Sequence, residues 1–266
     1  MKEGVMKYLA YAALMLPMIA IGAGCCTNMH KSIPKNITEN QRNVEAVRNI
    51  KNSTVALLIG TQDQKEAYCA GVWISNDRIL TANHCAEVMG RAILDAPEEA
   101  DYNAVGDIIM FANQSDVPES GFIPNENVRL GVIEGIEKRN DLALIHVIGD
   151  AIPPHFIAHL ANRDINAGEN LHIMGHTTGF TWSYIKGVVS AIRVMDGPLA
   201  GHQQVVTKIL QVSAPVWLGN SGGGAFDDNG QLVGICSWVT RKAPNVSFFI
   251  HRDEIENFLK KFMETN

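Results

Sequence analysis

The 266-residue chain has no run of lysine or arginine, and its 28 acidic residues outnumber 22 basic ones for a formal net charge of −6. Such a balance leaves no electrostatic footprint for nucleic acid. There is no internal repeat and no low-complexity tract. No His-Glu-x-x-His occurs either. His155 and His159, like His172 and His176, have the i, i+4 spacing of a ligand pair, but neither pair is followed by an evident third ligand. A metal hydrolase is therefore disfavoured, and no metal and no cofactor are expected. What the chain does have is 46% hydrophobic residues, ample for one large core or two small ones.

The longest apolar run, Tyr8 to Ala23, follows Lys2 and Lys7 and is interrupted only by Pro17 and Gly22. At about 16 residues it is short for a spanning helix and fits the apolar region of a signal peptide. It ends in Gly22-Ala23-Gly24-Cys25-Cys26, which resembles the lipobox of bacterial lipoproteins, with Gly22 where leucine is usual. Residues 1–25 are read as an export signal, with lipidation of Cys25 tethering the mature chain to a membrane. Ordinary cleavage and full secretion is the alternative. In both cases the chain leaves the cytoplasm for a compartment where disulfides persist. Residues 26–51 are polar and read as a linker, with a short helix suggested around Val44 and Val47.

From residue 52 onward, short apolar runs alternate with turn signals. Val55–Ile59, Tyr68–Ile74, Arg78–Thr81, Asp107–Phe111, Val128–Ile133 and Leu142–Val147 make up the first half. Leu171–Met174, Tyr184–Val194, Val205–Val212, Gln231–Ser237 and Ser247–Ile250 follow. Many short strands without long intervening helices predict an all-β barrel or sandwich. Ala86 to Ala104 reads as a surface excursion with Pro97-Glu98-Glu99 at its tip. Only the end is clearly helical: Ile255, Phe258, Leu259 and Phe262 form one apolar stripe at i, i+3, i+4 and i+7, which suits packing on a barrel better than holding a partner.

One stretch is unusual in its own right. Gly219-Asn220-Ser221-Gly222-Gly223-Gly224 packs a serine among glycines. Such a backbone can turn sharply enough to aim N–H groups at one point beside a hydroxyl. A nucleophile with donors for a developing oxyanion is the equipment of acyl transfer. The plain alternative is a glycine-rich turn. A base and an orienting group are then needed. His84 follows a strand-like run in Leu80-Thr81-Ala82-Asn83-His84-Cys85, and Asp141 opens the apolar run Leu142-Ala143-Leu144-Ile145. A carboxylate at the mouth of a buried strand is costly without a partner, which an imidazole N–H would supply. Taken singly, a core histidine and a turn aspartate are the simpler accounts.

Together, Thr-Ala-Asn-His-Cys, Asn-Asp-Leu-Ala-Leu, Gly-Asn-Ser-Gly-Gly and Cys236-Ser237-Trp238 resemble the chymotrypsin-fold, trypsin-like serine peptidases. They stand in that family's order, over about residues 54 to 262. The resemblance implies two packed six-stranded antiparallel β-barrels, dividing near residues 150–165, and a C-terminal α-helix. It implies a serine endopeptidase acting on proteins or peptides, with Ser221 as nucleophile, His84 as general base and Asp141 orienting His84. It places an oxyanion hole at the backbone N–H groups of Gly219 and Ser221, and a substrate-pairing strand at Ser237-Trp238-Val239. It also implies a disulfide between Cys69 and Cys85, leaving Cys236 as a small buried hydrophobe. A catalytically silent binding or scaffold protein on the same fold is the rival.

Departures from the family narrow the resemblance. Asn220 stands where the digestive branch carries the aspartate that pairs with a new N-terminus, and no Ile-Val-Gly-Gly precedes Thr54. Activation by that ion pair is not expected. Gly-Asn-Ser-Gly-Gly and Gly175-His176-Thr177-Thr178-Gly179 are closer to the bacterial HtrA-like and glutamyl-endopeptidase-like branches. The sequence ends at Asn266 without the PDZ domain of full HtrA proteins, so cage assembly is not expected. Pro215 stands at the position of the family's pocket base, so no preference for lysine or arginine is implied. Val239 and Thr240 would leave a shallow apolar pocket for small aliphatic residues.

Overall fold

The computed structural model describes residues 39–60, 65–94, 104–117, 123–149, 156–198, 204–240 and 243–263. The signal segment, Cys25 and Cys26, Pro97-Glu98-Glu99 and His155 lie outside them.

Helix α1 (Glu39–Ser53) leads without a break into β1 (Thr54–Gly60). It is longer than the suggestion around Val44 and Val47, and its last turn is part of the packed structure. Ile50 is fully buried in a cluster with Ala56, Leu58, Met174 and Trp182. The hydroxyls of Ser53 and Thr54 both bond back to the Ile50 carbonyl, closing the helix end before the strand begins.

The strands form two closed six-stranded antiparallel barrels. The first contains β1, β2 (Lys65–Trp73), β3 (Arg78–Thr81), β4 (Ile108–Asn113), β5 (Arg129–Glu137) and β6 (Leu142–Val147), hydrogen-bonded in the order β1-β2-β3-β6-β5-β4. Its interior is filled by Val55, Leu57, Trp73, Ile79, Phe111 and Ile145, among others. The second contains β7 (Asn170–Gly175), β8 (Ser183–Pro198), β9 (Gln204–Ser213), β10 (Gly224–Phe226), β11 (Leu232–Val239) and β12 (Val246–His251), in the order β10-β11-β12-β9-β8-β7. The cluster that buries Ile50 also joins the barrels, bringing Val72, Leu80 and Leu144 of the first against Phe226, Ile235 and Ile250 of the second.

Helix α2 (Asn83–Leu94) occupies the start of the expected surface excursion. Ala86 and Met89 are buried in the core of the first barrel, so this part is packed structure and no loose loop. Helix α3 (Arg252–Met263) buries Ile255 and Phe258 in the inter-barrel cluster, with Leu259 and Phe262 packed against it. The apolar stripe is thus consumed by the fold. Gly135 on β5 makes room for it, since a Cβ there would stand 2.5 Å from the Phe262 ring.

Candidate active site

The site is assembled where the two barrels meet. β3 ends at Thr81, whose hydroxyl donates to the Ala70 carbonyl at 2.8 Å, and α2 begins two residues on. His84 therefore sits in the first turn of a helix anchored on the first barrel. The Cys69–Cys85 disulfide ties that turn to β2. Its 16-residue separation corresponds to about 3 kcal/mol of chain-entropy stabilisation.

Asp141 caps the short 3-10 turn Lys138–Asn140 just before β6, in the left-handed region at φ 51°, ψ 46°. A non-glycine residue there costs on the order of 1–2 kcal/mol. Its carboxylate is fully buried but well supplied with donors. The His84 backbone N–H donates to Oδ1 at 2.9 Å, His84 Nδ1 lies 2.9 Å from Oδ2, and the Ser237 hydroxyl donates to Oδ2. The Asp141 carbonyl accepts from Asn83 N–H at 3.1 Å, fixing the two loops to each other. Nδ1 must carry the proton to serve Asp141, which leaves Nε2 as an acceptor. The His84 side chain is 26% exposed. Burial pushes its pKa down, but the Asp141 charge and hydrogen bond, with the Glu87 charge, outweigh this and hold it above the usual histidine value of 6.5.

Ser221 follows a turn that only glycine can make. Gly219 has φ +91°, and a Cβ there would stand 2.1 Å from the His176 carbonyl oxygen. The loop is fixed to both barrels. Ala70 N–H of β2 donates to the Ser221 carbonyl, and Gly222 N–H donates to the Cys236 carbonyl of β11, each at 2.8 Å. The Asn220 and Gly223 N–H groups bond to Trp217 and Asn220 carbonyls. Between them, the N–H groups of Gly219 and Ser221 donate to no group among the described residues.

Asn220 is fully buried and satisfied without any charged partner. Its Nδ2 donates to Thr177 Oγ1 and to the Trp217 carbonyl, each at 2.9 Å. The segment carrying Thr177 holds the serine loop further: His176 N–H donates to the Gly219 carbonyl and Thr178 N–H to the Leu218 carbonyl. His176 itself is fully buried, donating from Nε2 to the Val55 carbonyl at 3.0 Å and accepting the Trp182 N–H on Nδ1 at 3.0 Å. Burial lowers its pKa to about 4, so the ring is neutral in this double bond.

His84 and Ser221 line two clefts that flank them. The first, about 320 Å³, is walled by Trp217, Leu218, Ser237, Trp238 and Val239. Pro215 and Thr240, expected to line the pocket, are not among the residues that wall this cleft, whereas Trp217 and Leu218 are. Trp217 and Leu218 were not legible as site residues, although two large apolar side chains directly before Gly-Asn-Ser are a usable signal. Cys236 is a buried free thiol, its pKa raised by burial and then by the Asp141 charge. The second cleft lies beyond Leu218 and Gly219, along Glu66 to Cys69.

Among the described residues, His159, His172 and His176 do not converge on one point. His172 bonds Tyr184 through Nδ1 and Asp228 through Nε2, while His176 is committed to Val55 and Trp182, and His159 is exposed. Sulfurs of Cys69 and Cys85 stand near His84, but they are joined to each other and offer no thiolate.

Two closed six-stranded antiparallel barrels define the chymotrypsin-type class of fold. The family model of the trypsin-like peptidase domain matches residues 69–235, and the chain belongs to that family. It is 27% identical over 201 residues to a serine protease HtrA-like of Staphylococcus epidermidis, covering 70% of this chain and 33% of the relative. Over 132 residues it is 31% identical to a probable periplasmic serine endoprotease DegP-like of Pseudomonas fluorescens, covering 47% of this chain and 26% of the relative. The chain thus spans about a third or less of the length of these curated relatives. Among solved structures, the Rv3671c protease from M. tuberculosis in its active form aligns with TM-score 0.63 at 18% identity, covering 82% of this chain and 83% of that one. An HtrA-type protease with a bound tripeptide aligns with TM-score 0.62 at 20% identity, covering 84% of this chain and 64% of that one.

Proposed function

We propose that this protein is a serine endopeptidase that cleaves peptide bonds through an acyl-enzyme. The observation that carries this is His84 held by buried Asp141 through Nδ1 while it shares two clefts with Ser221. Ser221 Oγ attacks the scissile carbonyl carbon as His84 Nε2 takes its proton. The carbonyl π electrons move onto oxygen, which lies against the N–H groups of Gly219 and Ser221. Each such donor contributes about 3 kcal/mol to lowering the barrier. His84 then passes its proton to the leaving nitrogen, the C–N bond breaks, and water repeats the sequence to release the acyl half. Asp141 keeps Nδ1 protonated and stabilises the imidazolium without taking the proton itself.

The acyl half of the substrate lies along Ser237-Trp238-Val239, and the first cleft takes the side chain before the cut. Apart from His84, its lining carries no ionisable group that is charged near neutrality. An apolar residue before the cut suits those walls.

A fluorophosphonate probe is expected to label Ser221 in the folded protein, with labelling abolished in Ser221→Ala. A folded protein that stays unlabelled would instead be a scaffold on a peptidase fold. Export and anchoring at Cys25 are part of the same proposal, supported by Lys2, Lys7 and the apolar run before Gly22-Ala23-Gly24-Cys25. Metabolic palmitate labelling should mark the protein and vanish in Cys25→Ala; an unlabelled, freely secreted wild type would overturn the anchor.

A further inference from the structure

We infer that the second cleft, along β2, receives the part of the substrate that leaves after the cut, and that Glu66 selects there for a cationic side chain. The inference rests on the peptidase reading, which assigns the first cleft to the acyl half. With that half along β11, the rest of the peptide must continue past Ser221 on the opposite side. The cleft found there is about 310 Å³ and is lined by Glu66, Tyr68, Thr178, Gly179 and Leu218 besides His84 and Ser221.

Glu66 and Tyr68 both line this cleft and are both exposed, with the buried Ala67 between them and Tyr68 bulged out of register against β1. Glu66 is the only carboxylate lining either cleft among the described residues. Its side chain makes no ion pair or hydrogen bond among the described residues. The neighbouring Lys65 ammonium is bonded to Asn125 Oδ1. An unpaired carboxylate two positions from an exposed phenol ring is suited to a lysine or arginine side chain, whose stem and charge Tyr68 can also receive through its ring face. Between exposed charges such an attraction is modest, typically worth about two- to fivefold in affinity or rate, and it weakens as salt screens it.

The test uses peptides identical on the acyl side, apolar before the cut, and carrying Arg, Ala or Glu in the two positions after it. In the wild-type protein, kcat/KM is expected to rank Arg above Ala above Glu, with the Arg-to-Glu ratio about fivefold or more. Glu66→Gln should bring that ratio toward one, and Glu66→Lys should invert it. The same peptides are also titrated into Ser221→Ala by fluorescence anisotropy, a readout that needs no turnover. Tighter binding of the Arg peptide there, lost in Ser221→Ala/Glu66→Gln, supports the subsite even where wild type fails to cut. Equal binding and equal cutting of the three peptides, or an Arg preference that survives Glu66→Gln, overturns the assignment to Glu66. Failure of the catalytic reading would appear separately, as absence of cutting with selective binding retained.

Discussion

Asp141 is held in the left-handed region and is wholly enclosed, yet every donor around it belongs to the site: His84 twice and Ser237 once. Replacement by asparagine keeps the size while removing the charge, and offers Nδ1 of His84 an amide that can orient the ring in the wrong tautomer. On the proposed mechanism, Asp141→Asn lowers kcat by about 10⁴-fold. The pH profile provides a second sign. His84 must be neutral to accept a proton, so activity falls as pH drops through its pKa. In the wild-type protein that pKa lies above 6.5, so the acid limb of kcat/KM should have its midpoint above pH 6.5. Without the Asp141 charge, burial dominates and the midpoint of the residual activity should move below 6.5. A midpoint that stays in place in Asp141→Asn would disconnect the two residues.

At the scale of elements, the strands with alternating or continuous apolar runs were legible, because a buried strand writes its burial directly into the sequence. β10 was not. Gly224-Ala225-Phe226 is three residues long, too short for an apolar run to stand out beside the glycines, and it becomes a strand because β7 and β11 bracket it. α2 was missed for a related reason: Ala86 and Met89 give a sparse stripe, and its helical state is fixed by the Cys69–Cys85 disulfide and by the core beneath. The three polar side chains proposed for catalysis were legible from their flanking motifs, whereas the walls of the first cleft were not. Pro215 sits where counting from Ser221 places a pocket base, but the wall comes from Trp217 and Leu218, and no count of positions foresees how the intervening turn folds. The bonds from His176 to Val55 and Gly219 likewise join residues far apart in sequence, which spacing alone does not reveal.

For the molecule as a whole, the serine loop is supported from within. Asn220 is bonded to Thr177 and Trp217, and the His176–Thr178 segment that carries Thr177 is tied in turn to the start of β1 through Val55. The Trp182 indole N–H adds a bond to the Thr54 carbonyl. β1 in turn continues from α1, whose Ile50 is buried between the barrels. No part of this arrangement calls for a freed N-terminus at Thr54, and an uncharged Asn220 offers such a terminus no carboxylate. The central claim is therefore a serine site that is complete on folding, with α1 still attached. Active-site titration of protein purified with its chain intact before Thr54, verified by intact mass, tests it most directly. The expected result is one titratable serine per chain with no prior cleavage and no change after limited trimming. A burst that appears only once the chain has been cut to begin at Thr54 would contradict it.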